Sequence, residues 1–349
     1  MTYELNDKLK CLVPYDAVAG DYKIRLDANE SFIDPGAVFG EQILSAISKV
    51  KFNRYPDPMA TELCEKFARC YGINPSCVVA GNGSDELITV IMGAFLRPGD
   101  RVLTFSPDFS MYKFYGEIYE KTNNITDKKE DLILTAGDVM DAVYESKPAA
   151  IMISNPCSPT SLVMGREDVL HIVENTDALV IIDEAYMDLS DQSVMKVASK
   201  YDNLIVLKTC SKAWGMAAIR LGFAVSSKKI IQALHCVRSP YNVNGLTQAA
   251  GCAIFSNPDY IKKSVEEIKK ARDYLYQGLL PLENTEAVRR VVKPDTNFIL
   301  VELEDAGFVY DELKKRSIIV RRLGDYLRIT AGTKKENDAL IHALSEILS

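Results

Sequence analysis

The chain has 349 residues, of which 47% are hydrophobic and 26% are charged, and its formal net charge is −7. This length exceeds that of a typical single domain and predicts a large domain with a smaller one. The acidic balance argues against a nucleic-acid-binding surface, which needs a basic stripe.

The sequence has the features of a cytoplasmic protein without a membrane anchor. Its polar first eight residues do not resemble a signal peptide. No apolar run approaches the roughly 20 residues that a membrane span needs. We therefore expect a cytoplasmic location and no membrane partner.

The eight cysteines and three histidines do not form a metal-binding or disulfide pattern. None of the cysteines belongs to a C-x-x-C pair, and the histidines are scattered. We expect no metal, and we interpret most of the cysteines as small buried apolar residues. Cys210 differs because it lies two residues before Lys212.

Short apolar strands alternate with helical segments up to about residue 245. This alternation predicts an α/β fold with a largely parallel sheet covered by helices on both faces. Predicted helices are 39–50, 61–71 and 87–96, and predicted strands are 23–27, 77–80, 101–105, 150–154, 179–183, 204–209 and 221–226.

The pattern then changes to that of a smaller α+β domain. Predicted helices are 258–280, 307–316 and 334–348, and predicted strands are 297–302, 318–321 and 326–330. The sequence thus predicts an amino-terminal arm over residues 1–28, a large domain over 29–245 and a small domain over 246–349.

A glycine-containing turn, Gly81-Asn-Gly-Ser-Asp-Glu86, lies between a predicted strand and a predicted helix. Its backbone can approach an anion, toward which the N–H groups of the first helical turn point. The alternative is a plain turn in which Ser84 or Asp85 caps the helix. The third glycine of a dinucleotide fingerprint is missing.

Asp183, Glu184 and Tyr186 lie at the end of the predicted strand 179–183. Ligands bind at this end of the strands in open parallel sheets. A buried carboxylate needs a positive partner, and a protonated ring nitrogen would be one. A structural ion pair or a helix cap is the alternative.

Lys212 and Arg220 lie in a short passage between two predicted strands. A lysine amine can form a Schiff base with an aldehyde, and a guanidinium suits a phosphate. Thr209 and Ser211 add hydroxyl groups. Either cation on its own is also compatible with an ordinary surface residue.

Together these residues resemble the site of fold-type I pyridoxal 5′-phosphate enzymes. In that family the lysine carries the cofactor, and the aspartate keeps the pyridinium nitrogen protonated so that the ring acts as an electron sink. The resemblance implies the fold-type I architecture, with a mostly parallel seven-stranded sheet and a smaller carboxyl-terminal domain.

Nearly the whole chain resembles the histidinol-phosphate aminotransferases, a group within the class I and II aminotransferases. The matching segments, in the family's order, are Val13-Pro-Tyr15, Arg25-Leu-Asp-Ala-Asn-Glu30, Asn53-Arg-Tyr-Pro-Asp57, Asp183-Glu-Ala-Tyr186, Ser211-Lys-Ala213, Arg220-Leu-Gly-Phe223, Thr296-Asn-Phe-Ile-Leu300, Ile318-Ile-Val-Arg321 and Leu327-Arg-Ile-Thr330.

The resemblance implies a role for each site residue. Lys212 would carry the cofactor and shuttle the proton, Asp183 would pair with the ring nitrogen, and Tyr186 would donate to the ring's phenolic oxygen. The other implied cofactor contacts are Ser84, Asp85, Phe109, Ser158, Thr209, Ser211 and Arg220, with Tyr55 reaching from the second subunit of a homodimer. The implied substrate contacts are Tyr15, Asn29, Arg321 and Arg328, of which Arg328 receives the acidic group.

The chain departs from the family's pattern at three places. Pro156-Cys-Ser-Pro-Thr-Ser161 stands for Pro-Asn-Asn-Pro-Thr-Gly, so that Ser158 replaces an asparagine and Ser161 a glycine. We expect a weaker bond to the phenolic oxygen, at a cost of about 0.5–1.5 kcal/mol, unless Asn155 is rerouted to replace it. Phe109 replaces a tyrosine. Arg322 replaces an aspartate, and it is either an additional cation near the substrate or a solvated surface charge.

The leading functional hypothesis is an aminotransferase that moves an amino group between L-histidinol phosphate and 2-oxoglutarate by ping-pong chemistry. The alternatives are a threonine-phosphate-type decarboxylase, an aromatic amino-acid aminotransferase, and a non-catalytic relative that acts by binding.

Overall fold

The computed structural model describes residues 4–10, 12 and 18–348. The predicted substrate contact Tyr15 and the segment 13–15 lie outside these residues. Within them, the chain forms a seven-stranded and a five-stranded sheet, each packed against helices.

The seven-stranded sheet contains most of the elements predicted from the first two thirds of the sequence. Its strands are β2 (Val78–Gly81), β3 (Arg101–Ser106), β4 (Thr122–Asp127), β5 (Ala150–Ser154), β6 (Leu179–Asp183), β7 (Leu204–Thr209) and β8 (Gly222–Ser226), in the order β2-β8-β7-β6-β5-β3-β4. Strands β3 to β7 are parallel, and β8 is antiparallel to both neighbours. The predicted fold class is therefore confirmed.

Helices cover both faces of this sheet. They are α1 (Pro35–Ile47), α2 (Thr61–Tyr71), α3 (Gly83–Phe95), α4 (Met111–Ile118), α5 (Ala136–Ser146), α6 (Arg166–Glu174), α7 (Lys228–Val237) and α8 (Gly245–Phe255). Successive residues of β6 enter opposite cores, with Val180 and Ile182 in one and Ile181 in the other. Because both faces of the sheet are buried under helices, the central strands contain almost continuous apolar residues.

The five-stranded sheet combines the arm with the carboxyl-terminal third of the chain. Its strands are β1 (Ile24–Leu26), β9 (Val288–Val291), β10 (Phe298–Leu303), β11 (Ile318–Leu323) and β12 (Tyr326–Thr330), and its helices are α9 (Asp259–Leu279), α10 (Ala306–Lys315) and α11 (Lys334–Ile347). Strand β1 pairs in parallel with β11, and Leu26 enters the core of this sheet. The arm is thereby held to the second sheet.

Two predicted helices begin earlier in the structure than the sequence pattern indicated. Helix α1 begins at Pro35, after Asp34 accepts a hydrogen bond from the Gly36 N–H at 2.7 Å. Proline favours the first position of a helix because it lacks the N–H that would have no partner there. Helix α3 begins at Gly83, so its first turn contains the residues that the sequence analysis assigned to a loop.

The sequence analysis did not identify β4, β9 and helices α4 to α8. Strand β4 is Thr-Asn-Asn-Ile-Thr-Asp at the sheet edge, where polar residues face solvent and an apolar pattern is not required. Ile254 and Phe255 of α8 pack in the core of the first sheet. The domain limits at residues 28 and 245 stay a prediction. No helix in the described part of the chain is both long and apolar enough to span a membrane.

Candidate active site

Three neighbouring parallel strands end at one cavity of about 160 Å³. Ser154, Asp183 and Thr209 are the last residues of β5, β6 and β7, and all three line it. The other lining residues are Ser84, Asp85, Phe109, Ser158, Ala185, Tyr186, Ser211, Lys212 and Arg220. The structure thus brings together every predicted catalytic and cofactor-binding residue except Tyr55.

Asp183 is the most buried charged group of the cavity wall, with 4% of its surface exposed. Its carboxylate accepts hydrogen bonds from the Tyr112 hydroxyl and the Ala185 N–H, each at 3.1 Å. Burial raises the pKa of Asp183 to about 7, against the opposing effect of these two bonds. Because both donors are neutral, a cation placed at this carboxylate would be strongly stabilised.

The first turn of α3 forms another part of the cavity wall. Gly83 has a φ of +83°, and Asn82, which precedes it, makes no side-chain cap. The first backbone N–H groups of the helix, including those of Ser84 and Asp85, are the groups that a bound anion can satisfy. The alternative in which Ser84 or Asp85 caps the helix is wrong, because both residues lie inside its first turn.

Arg220 and two hydroxyl groups face this turn. The Arg220 guanidinium lies 3.3 Å from an Asp85 oxygen and donates to Ser211 Oγ at 3.4 Å. Thr209 Oγ1 donates to Ser211 Oγ at 3.1 Å. With the helix N-terminus, these groups form a cationic, hydroxyl-lined cradle of the kind that binds phosphate.

Lys212 also lines the cavity. Its Nζ donates to the Ala28 carbonyl at 2.9 Å and lies 5.7 Å from the centre of the Tyr186 ring. The Tyr186 hydroxyl accepts a hydrogen bond from Asn29 Nδ2 at 2.9 Å. Since that hydroxyl receives a donor from Asn29, its own proton is available to another acceptor in the cavity.

Asn29 was predicted to contact the substrate, and the structure shows what it contacts within the chain. It is 1% exposed and has a φ of +54°. Its side-chain oxygen accepts from Thr330 Oγ1 at 3.1 Å, while its amide nitrogen holds Tyr186. Asn29 therefore links the arm, β12 and the cavity.

The segment that departs from the family's pattern lies partly in the cavity wall and contacts both Arg328 and Met164. Ser158 lines the cavity, and its Oγ accepts from Arg328 Nη1 at 3.3 Å. The suggestion that Asn155 replaces the missing asparagine is wrong. Both ends of its amide bind the Met164 backbone, at 3.0 and 2.8 Å, so the side chain is already committed.

Ser161 takes over the backbone conformation of the glycine it replaces. Its φ is +68°, in the left-handed region that glycine adopts most readily. The buried hydroxyl accepts from the N–H groups of Asp295 and Thr296 at 3.1 and 3.2 Å. These bonds offset the strain and join the segment to the chain before β10.

Two arginines lie side by side next to the cavity. Arg321 of β11 is directly opposite Arg328 of β12, so the two side chains share one face of the sheet. Arg328 also donates to the Asp27 carbonyl at 2.8 Å. Arg322 points to the other face, where it is exposed and donates to the Gly324 carbonyl at 3.4 Å. Its position favours the solvated-charge interpretation.

Tyr55 is the one predicted cofactor contact in the described residues that does not line the cavity. Its side chain is 80% exposed and stacks on Tyr241, with ring centres 4.5 Å apart. This exposure is compatible with a contact to a second subunit.

The sequence analysis missed three residues that line or support the cavity wall: Ser154 lines it, and Tyr112 and Asp108 bind residues of the wall. Tyr112 is 1% exposed and binds Asp183, whereas Ser154 Oγ donates to Asp108. Tyr112 lies on α4, which was not predicted. A buried tyrosine hydroxyl needs a polar partner, but its identity depends on tertiary structure.

The cavity fits pyridoxal 5′-phosphate on three structural grounds. Its wall contains a phosphate cradle, a buried carboxylate with neutral partners, and the primary amine of Lys212. No cluster suited to holding a metal ion occurs in the described part of the chain. Fold and site together define a fold-type I pyridoxal-phosphate-dependent enzyme.

Comparison with known proteins identifies the family. The sequence profile of the aminotransferases of class I and II matches residues 22–344, and the chain belongs to this family. Its cofactor is pyridoxal 5′-phosphate, as predicted.

Relatives and solved structures agree with this assignment. The histidinol-phosphate aminotransferase of Clostridium kluyveri is 40% identical over 97% of each chain, and that of Pyrococcus furiosus is 36% identical over 96% of this chain and 95% of its own. The structure of histidinol-phosphate aminotransferase from Sinorhizobium meliloti in complex with pyridoxal-5′-phosphate has a TM-score of 0.87 at 22% identity, covering 100% of this chain and 98% of its own. L-threonine-O-3-phosphate decarboxylase from Porphyromonas gingivalis has a TM-score of 0.80 at 20% identity, covering 93% of this chain and 99% of its own, and thus shares the fold.

Replacing Gly222 with alanine should weaken cofactor binding by about tenfold or more, because overpacking costs roughly 1–3 kcal/mol. A Cβ at Gly222 would lie 2.5 Å from the Ser84 backbone nitrogen and displace the phosphate-binding turn. Titration of the cofactor-free protein with pyridoxal phosphate measures the effect. Gly137→Ala is the matched control, since its nearest contact would be an ordinary 3.7 Å. Equal affinity in the two variants would contradict the assignment of this turn.

The cofactor-free protein should lose stability relative to Asp183→Asn as the pH rises from about 4 to 8. The folded state holds the Asp183 proton up to a pKa of about 7, whereas the unfolded state releases it near 3.8. Folding therefore retains a proton in this window, and raising the pH favours unfolding, by a few kcal/mol at most (about 1.4 kcal/mol per pKa unit). Denaturant unfolding of both proteins at several pH values tests this. A constant difference would show that the Asp183 pKa is not raised.

Proposed function

We propose that the protein transfers the amino group of L-histidinol phosphate to 2-oxoglutarate, giving imidazole acetol phosphate and glutamate. The observation that carries the proposal is the pair Arg321 and Arg328 on one face beside the cofactor cavity, in a chain that is 40% identical to a histidinol-phosphate aminotransferase. A guanidinium group binds a phosphate or a carboxylate through paired, charge-assisted hydrogen bonds. The donor carries a phosphate and the acceptor carries carboxylates, so both substrates offer an anion to these arginines.

Each cavity residue has a role in this proposal. When bound, pyridoxal phosphate supplies an electron sink that stabilises negative charge at the substrate's α-carbon. Asp183 keeps a proton on the ring nitrogen, and Tyr186, held by Asn29, donates to the phenolic oxygen. Lys212 carries the cofactor and then moves the proton at the α-carbon. Phe109, which lines the cavity, covers the cofactor ring by stacking.

The remaining cavity groups hold the cofactor's phosphate and orient the substrate. Arg220, Ser211, Thr209 and the first turn of α3 bind the phosphate. Arg328 is positioned by Ser158 and by the Asp27 carbonyl, so its guanidinium is fixed before the substrate arrives. Ser158 is a weaker donor to the ring than an asparagine would be, because its side chain is shorter.

Adding L-histidinol phosphate to the cofactor-loaded protein, with no keto acid, should remove the cofactor's visible absorption band. Adding 2-oxoglutarate should restore it, because the amino group passes in two half-reactions. A Lys212→Ala variant is the control and should leave the band unresponsive. A wild-type band that persists would exclude this donor. Carbon dioxide release from phosphothreonine, at a rate independent of 2-oxoglutarate, would then favour the decarboxylase alternative.

We also propose that the protein acts as a homodimer in the cytoplasm, with each site completed by the partner's Tyr55. Apolar side chains that face solvent in a single chain support the dimer. They are Val38, Leu44, Phe52, Tyr55 and Leu246, with exposed fractions of 41% to 82%. A second copy of the chain is the natural partner for such a surface.

Complementation between two inactive variants should reveal the shared site. Lys212→Ala and Tyr55→Ala homodimers should each have low activity. After the two are unfolded together and refolded, the mixed dimer has one site with both Lys212 and the partner's Tyr55, so activity should recover to about one quarter of wild type, as random pairing predicts. If Tyr55 served its own subunit, no mixed dimer would contain an intact site and no activity would return. Light scattering provides the molecular mass.

A further inference from the structure

A lysine and a cysteine meet behind the wall of the active-site cavity. The Nζ atom of Lys128 donates to Cys157 Sγ at 3.0 Å and to the Pro107 carbonyl at 2.9 Å. Cys157 is 5% exposed, and its thiol lies 3.6 Å from the same carbonyl. Neither residue has a role in the proposed transfer of the amino group.

This pair differs from the surroundings of other cysteines in the described part of the chain. Cys64 and Cys70 face carbonyl oxygens, and burial raises the pKa of Cys64 to about 12. Cys157 instead faces the amine of Lys128, with 3.0 Å between nitrogen and sulfur. Although burial disfavours the charged amine, its interactions with Cys157 and Asp108 hold the pKa of Lys128 above its usual value.

The pair is reached through a second cavity of about 150 Å³, which Lys128 and Cys157 both line. A water molecule occupies about 30 Å³, so a molecule as small as hydrogen peroxide fits this space. Ser154 lines this cavity and the active-site cavity, and Ser158 follows Cys157 in the chain. A covalent change at Cys157 would therefore lie one residue from the cofactor site.

We propose that Lys128 and Cys157 are a peroxide-sensitive modification site, at which oxidation joins the sulfur and the nitrogen through a single oxygen atom. The short distance between Nζ and Sγ places the two atoms within reach of one bridging oxygen without rearrangement of the backbone.

The reaction consumes two molecules of peroxide. In the first step the Cys157 sulfur attacks one peroxide oxygen, the O–O bond breaks, and sulfenic acid and water form. Oxidation removes one of the two interactions that raise the pKa of Lys128, so burial then favours the neutral amine. The second peroxide oxidises this amine to a hydroxylamine and is reduced to water. Condensation of the two hydroxyl groups releases water and leaves the S–O–N bridge.

Mass spectrometry of the cofactor-loaded protein treated with hydrogen peroxide tests the proposal. The bridge adds one oxygen and removes two hydrogens, a gain of about 14 Da, whereas the unbridged acids of cysteine add about 16, 32 or 48 Da. We expect a cross-linked peptide containing residues 128 and 157 that dithiothreitol separates. Cys236, which is exposed, gives an internal comparison for unbridged oxidation.

Two neighbouring lysines provide a matched control. Lys128→Met should abolish the 14 Da product and send Cys157 to the unbridged acids. Lys129→Met should leave the product unchanged, because Lys129 is 71% exposed and pairs with Asp138 at 2.7 Å. The proposal is overturned if wild-type Cys157 yields only unbridged acids, if it does not react, or if the product survives in Lys128→Met.

Discussion

The burial of the Asp183 carboxylate at the end of β6 is the constraint on which the site depends. This strand lies in the middle of the sheet, between β5 and β7, and helices cover both faces, so only 4% of the surface of its last residue is exposed. Two neutral donors reduce the cost of burying the carboxylate but do not remove it, and its pKa remains near 7. When the cofactor is bound, its protonated ring nitrogen would supply the missing positive charge. Because β5 and β7 run parallel to β6, they end at the same edge of the sheet. The polar residues at and after their ends therefore lie around the same cavity.

The reversal of direction between β7 and β8 determines where the two cations lie. The chain leaves β7 at Thr209, passes Lys212 and returns through Arg220, which has a left-handed backbone with φ of +51°. Because β8 is antiparallel, Gly222 lies against the first turn of α3 and places Arg220 beside that turn. The phosphate cradle is thus a product of strand order: β2, which leads into α3, pairs with β8.

The departures from the family's pattern show how a site tolerates changed side chains. Ser161 keeps a glycine's backbone conformation because its hydroxyl is satisfied by two N–H groups. Ser158 no longer offers an amide to the cofactor, but it orients Arg328. Tyr186 is held by Asn29, which directly follows the arm, so one orienting contact in the cavity comes from a distant part of the chain.

The sequence by itself determined the parallel sheet, the cofactor and most of the cavity, because apolar strands and the polar residues at their ends are local features. Asp183, Lys212 and Arg220 were identified in this way, and the resemblance supplied their roles. Tertiary structure alone decided that Tyr112 supports Asp183, that Asn155 is committed to Met164 and that Arg322 faces away from Arg328. It also brought Lys128 to Cys157, 29 residues apart in the chain. Such contacts depend on which helices and loops pack together, and strand periodicity carries no information about that packing.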